Sequence, residues 1–138
     1  MNEVSIRAVR DTDMALVYST WLRSYRFNSN FAKKLSNKVY YEWHHKVIER
    51  LFGRGAFCLM ACDASDNNIV FGYLVGERSG IGNIIHFIYI KKAFRGLGIM
   101  RQLLSASGLS FNIFSHYTEF CDEYLKKHEG MEYNPYVI

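Results

Sequence analysis

The chain has 138 residues, 49% of them hydrophobic and 22% charged, with one Pro. That is the length and composition of a single folded domain, and it excludes a disordered chain. A formal charge of +4, with its basic residues scattered, suits acidic or phosphorylated partners and is too mild to indicate a nucleic-acid binder. The cysteine count is odd (Cys58, Cys62, Cys121) and no CxxC occurs. Structural thiols in a reducing compartment are therefore expected, rather than a disulfide or zinc framework. The opening "MNEVSIRAVRD" lacks the apolar core of a signal peptide, and no run reaches the ~18 apolar residues of a membrane span. A cytoplasmic protein without membrane contact is expected.

"EVSIRAVR" alternates, with Val4, Ile6 and Ala8 on one side, and predicts a first strand. "DTD" is an N-cap cluster, and "MALVYSTWLRSYR" carries Met14, Val17, Trp21 and Tyr25 as a helical stripe. "FNSNFAKKLSN" breaks that pattern and predicts a loop. "SNKVYYEWHHKVIERLF" predicts a second helix with Val39, Trp43, Val47 and Leu51 along one side, stopped by Gly53 and Gly55. "AFCLMACD" and "IVFGYLVGER" predict a hairpin turning at "ASDNN". "NIIHFIYIKK" predicts a long buried strand after the turn "SGIG", and "GIMRQLLSASGLS" a helix. "FNIFSHY" reads as a strand and "EFCDEYLKKHEG" as a helix ended by Gly130. "MEYNPYVI" reads as a last strand whose Pro135 favours an edge. The order predicts an α/β domain: one mixed sheet with helices on both faces.

The junction "IYIKKAFRGLGIMRQLL" passes from strand to helix through two glycines. The first turn of a helix has unpaired N–H groups and the positive end of the dipole, and glycines let further amides point the same way. Such a turn suits a pyrophosphate. A short match of this kind also occurs in plain connections.

The chain resembles the GNAT acetyltransferase superfamily over nearly its full length. Arg95-Gly96-Leu97-Gly98-Ile99-Met100 is similar to the family's Q/R-x-x-G-x-G/A signature, and "IIHFIYIKKAF" resembles the strand before it. "IRAVRDTDMALVYSTWL" resembles the first strand and helix, "CLMACDASDNNIVFGYLVGER" the next two strands, and "EYLKKHEGMEYNP" the last helix and the strand beyond. "WLRSYRFNSN" and "YYEWHHKVIERLF" resemble small acetyltransferase-like proteins encoded by phages.

The resemblance implies a mixed, mostly antiparallel sheet, acetyl-CoA as cofactor, and acetyl transfer to a primary amine of a small molecule or protein. It implies that the backbone of Arg95, Gly96, Leu97, Gly98, Ile99, Met100 and Arg101 holds the pyrophosphate. Ile88, Tyr89 and Ile90 would then flank the pantetheine arm and present an amide to the thioester oxygen. It also makes Tyr25, Arg26 and Asn28 acceptor-side contacts. Met100 departs from the small residue of the signature. Its side chain either crowds the pyrophosphate or turns into the core.

The amine must lose a proton, and the departing thiolate must gain one. The usual Glu of the central strand is missing, and Asn83 and His86 stand near its place. His86 is the candidate base because its unperturbed pKa lies near neutrality, and alternation puts it on a face with Ile88 and Ile90. A hydrogen-bonded core histidine is the competing reading, and Glu77 is a second candidate base. The usual Tyr four positions before the helix-ending Gly is replaced by Lys126, leaving Tyr124, then Tyr117, to protonate the sulfur.

Lys91 and Lys92 add diffuse attraction for phosphates or are surface charge. His44 and His45 diverge by about 100° on a helix and have no third ligand at metal spacing, so no metal site is expected. The aromatics of the first helices read as core rather than a nucleobase platform. The edge strand leaves a homodimer open. An N-acetyltransferase therefore competes with a binding or structural protein, such as a phage-encoded one, that kept the fold without the chemistry.

Overall fold

A computed structural model describes residues 3–138. Among them, six strands lie in the order β1 to β6 in one sheet. They are β1 (Val4–Ala8), β2 (Phe57–Asp63), β3 (Asp66–Glu77), β4 (Ile84–Ile90), β5 (Ile113–Phe114) and β6 (Glu132–Tyr133). The helices are α1 (Met14–Asn28), α2 (Asn30–Lys33), α3 (Asn37–Gly53), α4 (Ile99–Ser107) and α5 (Glu119–Lys127). β1 to β4 pair antiparallel, whereas β4 with β5 and β5 with β6 pair parallel. The sheet is thus mixed and mostly antiparallel. No helix of the described residues is long and apolar enough to cross a membrane.

The two faces have different cores. Alternation along β3 sends Tyr73 and Val75 to one side and Leu74 to the other. The first side packs on α1 and α3 through Trp21, Tyr25, Tyr40, Ile48 and Phe87. There Trp21 is fully buried and stacks on Phe87 at 5.3 Å and 6°. The second side packs on α4 and α5 through Ile99, Leu103 and Cys121 against Phe71, Ile85 and Phe114. All three cysteines are free and buried, Cys58 and Cys62 on the first side and Cys121 on the second.

Three local readings change. The segment expected as a loop extends α1 to Asn28 and forms α2, because the Ser29 side chain accepts from the Ala32 amide and Ala32 is fully buried. On α3 the buried side is Tyr40, His44, Ile48 and Leu51, while Val39 is 43% and Trp43 58% exposed. The helix is turned by about one residue, ~100°, from the expected stripe, because a buried histidine takes a core position. Pro135 lies beyond β6, opening a 3-10 turn over Pro135–Val137.

Two features of β4 set up the site. Opposite β3 its register steps: Val75 faces Phe87 and Gly76 faces Ile85, so His86 is an extra, bulged residue. The bulge explains why Ile85 and Phe87, two apart, lie on opposite faces of the sheet. Gly72 lets the end of β4 come close: a Cβ there would sit 2.4 Å from the Tyr89 carbonyl oxygen.

Candidate active site

β4 and β5 pair at only two positions, Ile84 with Ile113 and Ile85 with Phe114. Beyond them the strands part, and from Ile88 to Ile90 β4 is paired with β3 only and runs along a cleft of about 710 Å³. The Lys91 amide donates to the Phe71 carbonyl at 2.9 Å, and Tyr89 faces Tyr73. These are hydrogen-bonded positions of the antiparallel ladder. Ile88 and Ile90, which alternate with them, direct their amides and carbonyls away from β3. Both line the cleft, as Tyr89 does. The Arg95 guanidinium Nε donates to the Ile90 carbonyl at 2.9 Å, tying the far turn to the strand end.

That turn follows from its glycines. Gly96 (φ 77°) and Gly98 (φ 80°) are both left-handed, and an added Cβ would meet no protein atom within 4 Å at either. Glycine is therefore required here for conformation, not for packing. Gly98 caps α4, whose first i to i−4 bond is Gln102 N–H to the Gly98 carbonyl at 3.1 Å. The amides of Ile99, Met100 and Arg101 precede that bond. The first turn holds no acidic side chain and carries Arg101, so dipole and charge both favour an anion. Ile99 turns into the core at 2% exposure, whereas Met100 is half-buried and lines the cleft. Ile99 borders the cleft as well, and Met100 is not among the residues packed into either core.

The sequence-predicted chemical groups separate from this cleft. His86 is 1% exposed and is not part of the lining. The bulge takes it off the face of Ile88 and Ile90, correcting the alternation reading. Its ring instead bonds Glu77 through Nε2 at 2.7 Å and the Ser115 hydroxyl through Nδ1 at 2.6 Å. Burial pushes the His86 pKa down, against the pull of Glu77. Burial pushes the Glu77 carboxyl up, but hydrogen bonds from Arg54 and His86 outweigh it, leaving the group below the usual carboxylate range.

Tyr124 packs edge-on to Phe114 (5.7 Å) and stacks on His128 (3.9 Å, 7°), also outside the lining. Tyr117 donates to the Asp122 carboxylate, which pushes its hydroxyl up to about 12. Tyr25 is 3% exposed in the aromatic core, and Arg26 sits over the Tyr40 ring at 5.3 Å and donates to the Ala32 carbonyl. Asn28 does line the cleft, and its amide holds the Ser24 carbonyl at 3.0 Å. Lys91 and Lys92 stand outside the lining.

α5 supplies polar residues that sequence reasoning missed. Glu119, Glu123 and Lys127 line the cleft opposite β4. Their i, i+4, i+8 spacing makes one helical stripe, a signal present in the sequence.

The chain matches no protein-family model and no curated protein sequence. Solved structures do match it. An acetyl transferase candidate from Pyrococcus furiosus superposes with a TM-score of 0.58 at 20% identity, covering 98% of this chain and 87% of its own. The PaiA N-acetyltransferase of Thermoplasma acidophilum, in complex with coenzyme A, gives 0.53 at 15% identity over 77% and 70%. A GNAT family acetyltransferase from Brucella melitensis, in complex with acetyl-CoA, gives 0.54 at 18% over 78% and 67%. At these identities the likeness is one of architecture: the chain has the fold of GNAT family acetyltransferases.

Proposed function

We propose that the protein is an acetyl-CoA-dependent N-acetyltransferase acting on a primary amine. The observation that carries this reading is one continuous cleft, running from the outward amides of Ile88 and Ile90 to the left-handed Gly96–Gly98 turn at the start of α4. A thioester with a long amide-bearing arm and a diphosphate fits those two ends. The amides of Ile99, Met100 and Arg101 would hold the diphosphate, with Arg101 adding positive charge. Ile88 and Ile90 would pair with the arm and donate toward the thioester oxygen. When bound, acetyl-CoA supplies the activated acetyl group.

In this reading the remaining work falls to the cleft walls. Glu119 and Glu123 offer negative charge to an incoming ammonium and an acceptor for its proton. Asn28 and Ser24 border the acceptor side. His86 and Tyr124, the groups expected from sequence, have no place in the lining. That observation favours a second reading, a protein that binds the cofactor without transferring its acetyl group.

Titration calorimetry with CoA and acetyl-CoA tests both, with Gly98→Asp as control. Binding that a carboxylate at Gly98 weakens about a hundredfold supports the cleft assignment. Thiol release from acetyl-CoA with a panel of amines then separates transfer from binding alone. No binding at millimolar cofactor sinks both readings.

A further inference from the structure

Five side chains from separate parts of the fold form one buried hydrogen-bonded line. Glu77, at the end of β3, meets His86 Nε2 at 2.7 Å, and His86 Nδ1 meets the Ser115 hydroxyl at 2.6 Å. That hydroxyl meets His116 Nδ1 at 2.8 Å, and His116 Nε2 meets His44 Nε2, on α3, at 2.8 Å. His44, His86, Ser115 and His116 are all buried. The outer end is anchored by Arg54, which donates to both Glu77 oxygens at 2.9–3.1 Å.

Burial keeps the three rings neutral near pH 7, and an ionised Glu77 can only accept; together these fix every proton in the line. His86 carries its proton on Nε2, so its Nδ1 accepts from the Ser115 hydroxyl. The serine oxygen then accepts from His116 Nδ1–H, leaving His116 Nε2 to accept from His44 Nε2–H. All four bonds run one way, and all three rings are neutral. A proton added to His116 sets two donors face to face in a buried site, and one added to His86 turns the Ser115 hydroxyl from its donor role into an acceptor from both rings.

The line sits where the sheet opens. The backbone ladder between β4 and β5 ends at Ile85 and Phe114, where the Ser115 amide donates to the Ile85 carbonyl at 3.2 Å. His86 and Ser115 are the next residue on each strand. Phe87 and Ile88 on one side, and Thr118 on the other, already line the cleft.

We propose that the Glu77–His86–Ser115–His116–His44 line is the positioning element that sets the opening between β4 and β5, holding the cleft at cofactor width while its three imidazoles are neutral. Cofactor width rests on the acetyl-CoA reading; the control of the strand opening does not.

The groups facing the line do not oppose this. Arg54 follows α3, and Tyr25 on α1 and Tyr40 on α3 face His44. Tyr25 and Trp21 face His116, and the Cys121 thiol of α5 donates to the His116 carbonyl at 3.5 Å. Burial raises both tyrosines and Cys121, so they stay uncharged. Burial lowers His86 and His116, and takes His44 down to about 4. The unfolded chain therefore binds more protons than the fold below about pH 6.5, and this contribution is complete above that pH and falls as the medium is acidified.

The test is nitrogen-15 NMR of the histidine rings with amide hydrogen exchange, followed by CoA calorimetry from pH 7.5 to pH 5. His86 and His44 are expected as Nε2–H tautomers and His116 as Nδ1–H. On acidification the protection of the Ser115 amide should drop ahead of Tyr73 in the β2–β3 hairpin, and CoA affinity should fall with it. Ser115→Ala should weaken CoA about tenfold at pH 7.5, while Ser115→Thr, which keeps the hydroxyl, restores it. His116 found as Nε2–H, Ser115 protection flat while His86 titrates, or a Ser115→Ala protein that binds like wild type overturns the proposal. If Ser115→Ala does not fold, tautomers and exchange in the wild type decide. Expected tautomers and exchange in a wild type that binds no CoA uphold the control of the strand opening and sink the cofactor reading.

Discussion

The two halves of β4 share an apolar composition and differ in everything else. Ile84 to Phe87 are buried, with strand partners on both sides at Ile84 and Ile85; Ile88 to Ile90 are half-exposed and paired only with β3. The change occurs at His86, where the bulge interrupts the β3 register and side chains replace the β5 ladder. Hydrophobicity makes the whole segment a strand, while partner geometry decides which half closes the core and which half faces a ligand. A strand left with free amides on one edge is an invitation to pair, and here the edge is turned into a cleft instead of a sheet contact.

The comparison can be broken hardest from the closed half. Trp21→Ala removes the ring stacked on Phe87 and edge-on to His116, and should cost about 4 kcal/mol. Thermal melting should fall by roughly 15 °C. Gly72→Ala strikes the open half from behind, since its Cβ meets the Tyr89 carbonyl. It should cost about 2–3 kcal/mol and weaken CoA as well, read by denaturant melts and calorimetry on the same sample.

Glu77→Gln probes the seam between the halves. The folded Glu77 pKa is depressed, so its contribution is present above the unfolded value near 4.3 and is lost as pH falls through the folded one. The variant should be about 1 kcal/mol less stable at pH 7, and the gap should close on acid titration. Met100→Ala touches the open half alone. It should shift CoA affinity by less than about threefold, with stability within about 0.5 kcal/mol.

The order of elements is legible in the sequence because hydrophobic period and glycine placement are local properties. The Arg95–Arg101 turn is legible for the same reason, its two glycines marking the two left-handed residues. The buried face of α3 was obscured because His44 does not register as apolar, yet Tyr40, His44, Ile48 and Leu51 share one stripe. The position of His86 could not be read, since a bulge depends on the register of β3 opposite. The line from Glu77 to His44 spans residues 44 to 116, and no spacing rule connects them. Glu119, Glu123 and Lys127 stand at visible spacing, but which side of α5 meets the cleft is set by Cys121, Tyr124 and Leu125 packing inward.

Burial pushes the Cys58 thiol up to about 12 and raises Cys62 and Cys121 as well. Thiolate is the reactive form, so these three buried thiols react slowly with alkylating reagents at neutral pH while the fold is closed. Each alkylation therefore records an opening of the structure. Because Cys58 and Cys62 lie on the side of α1 and α3 and Cys121 is on the inward face of α5, mass-resolved labelling would time the loosening of each layer separately, with no engineered probe.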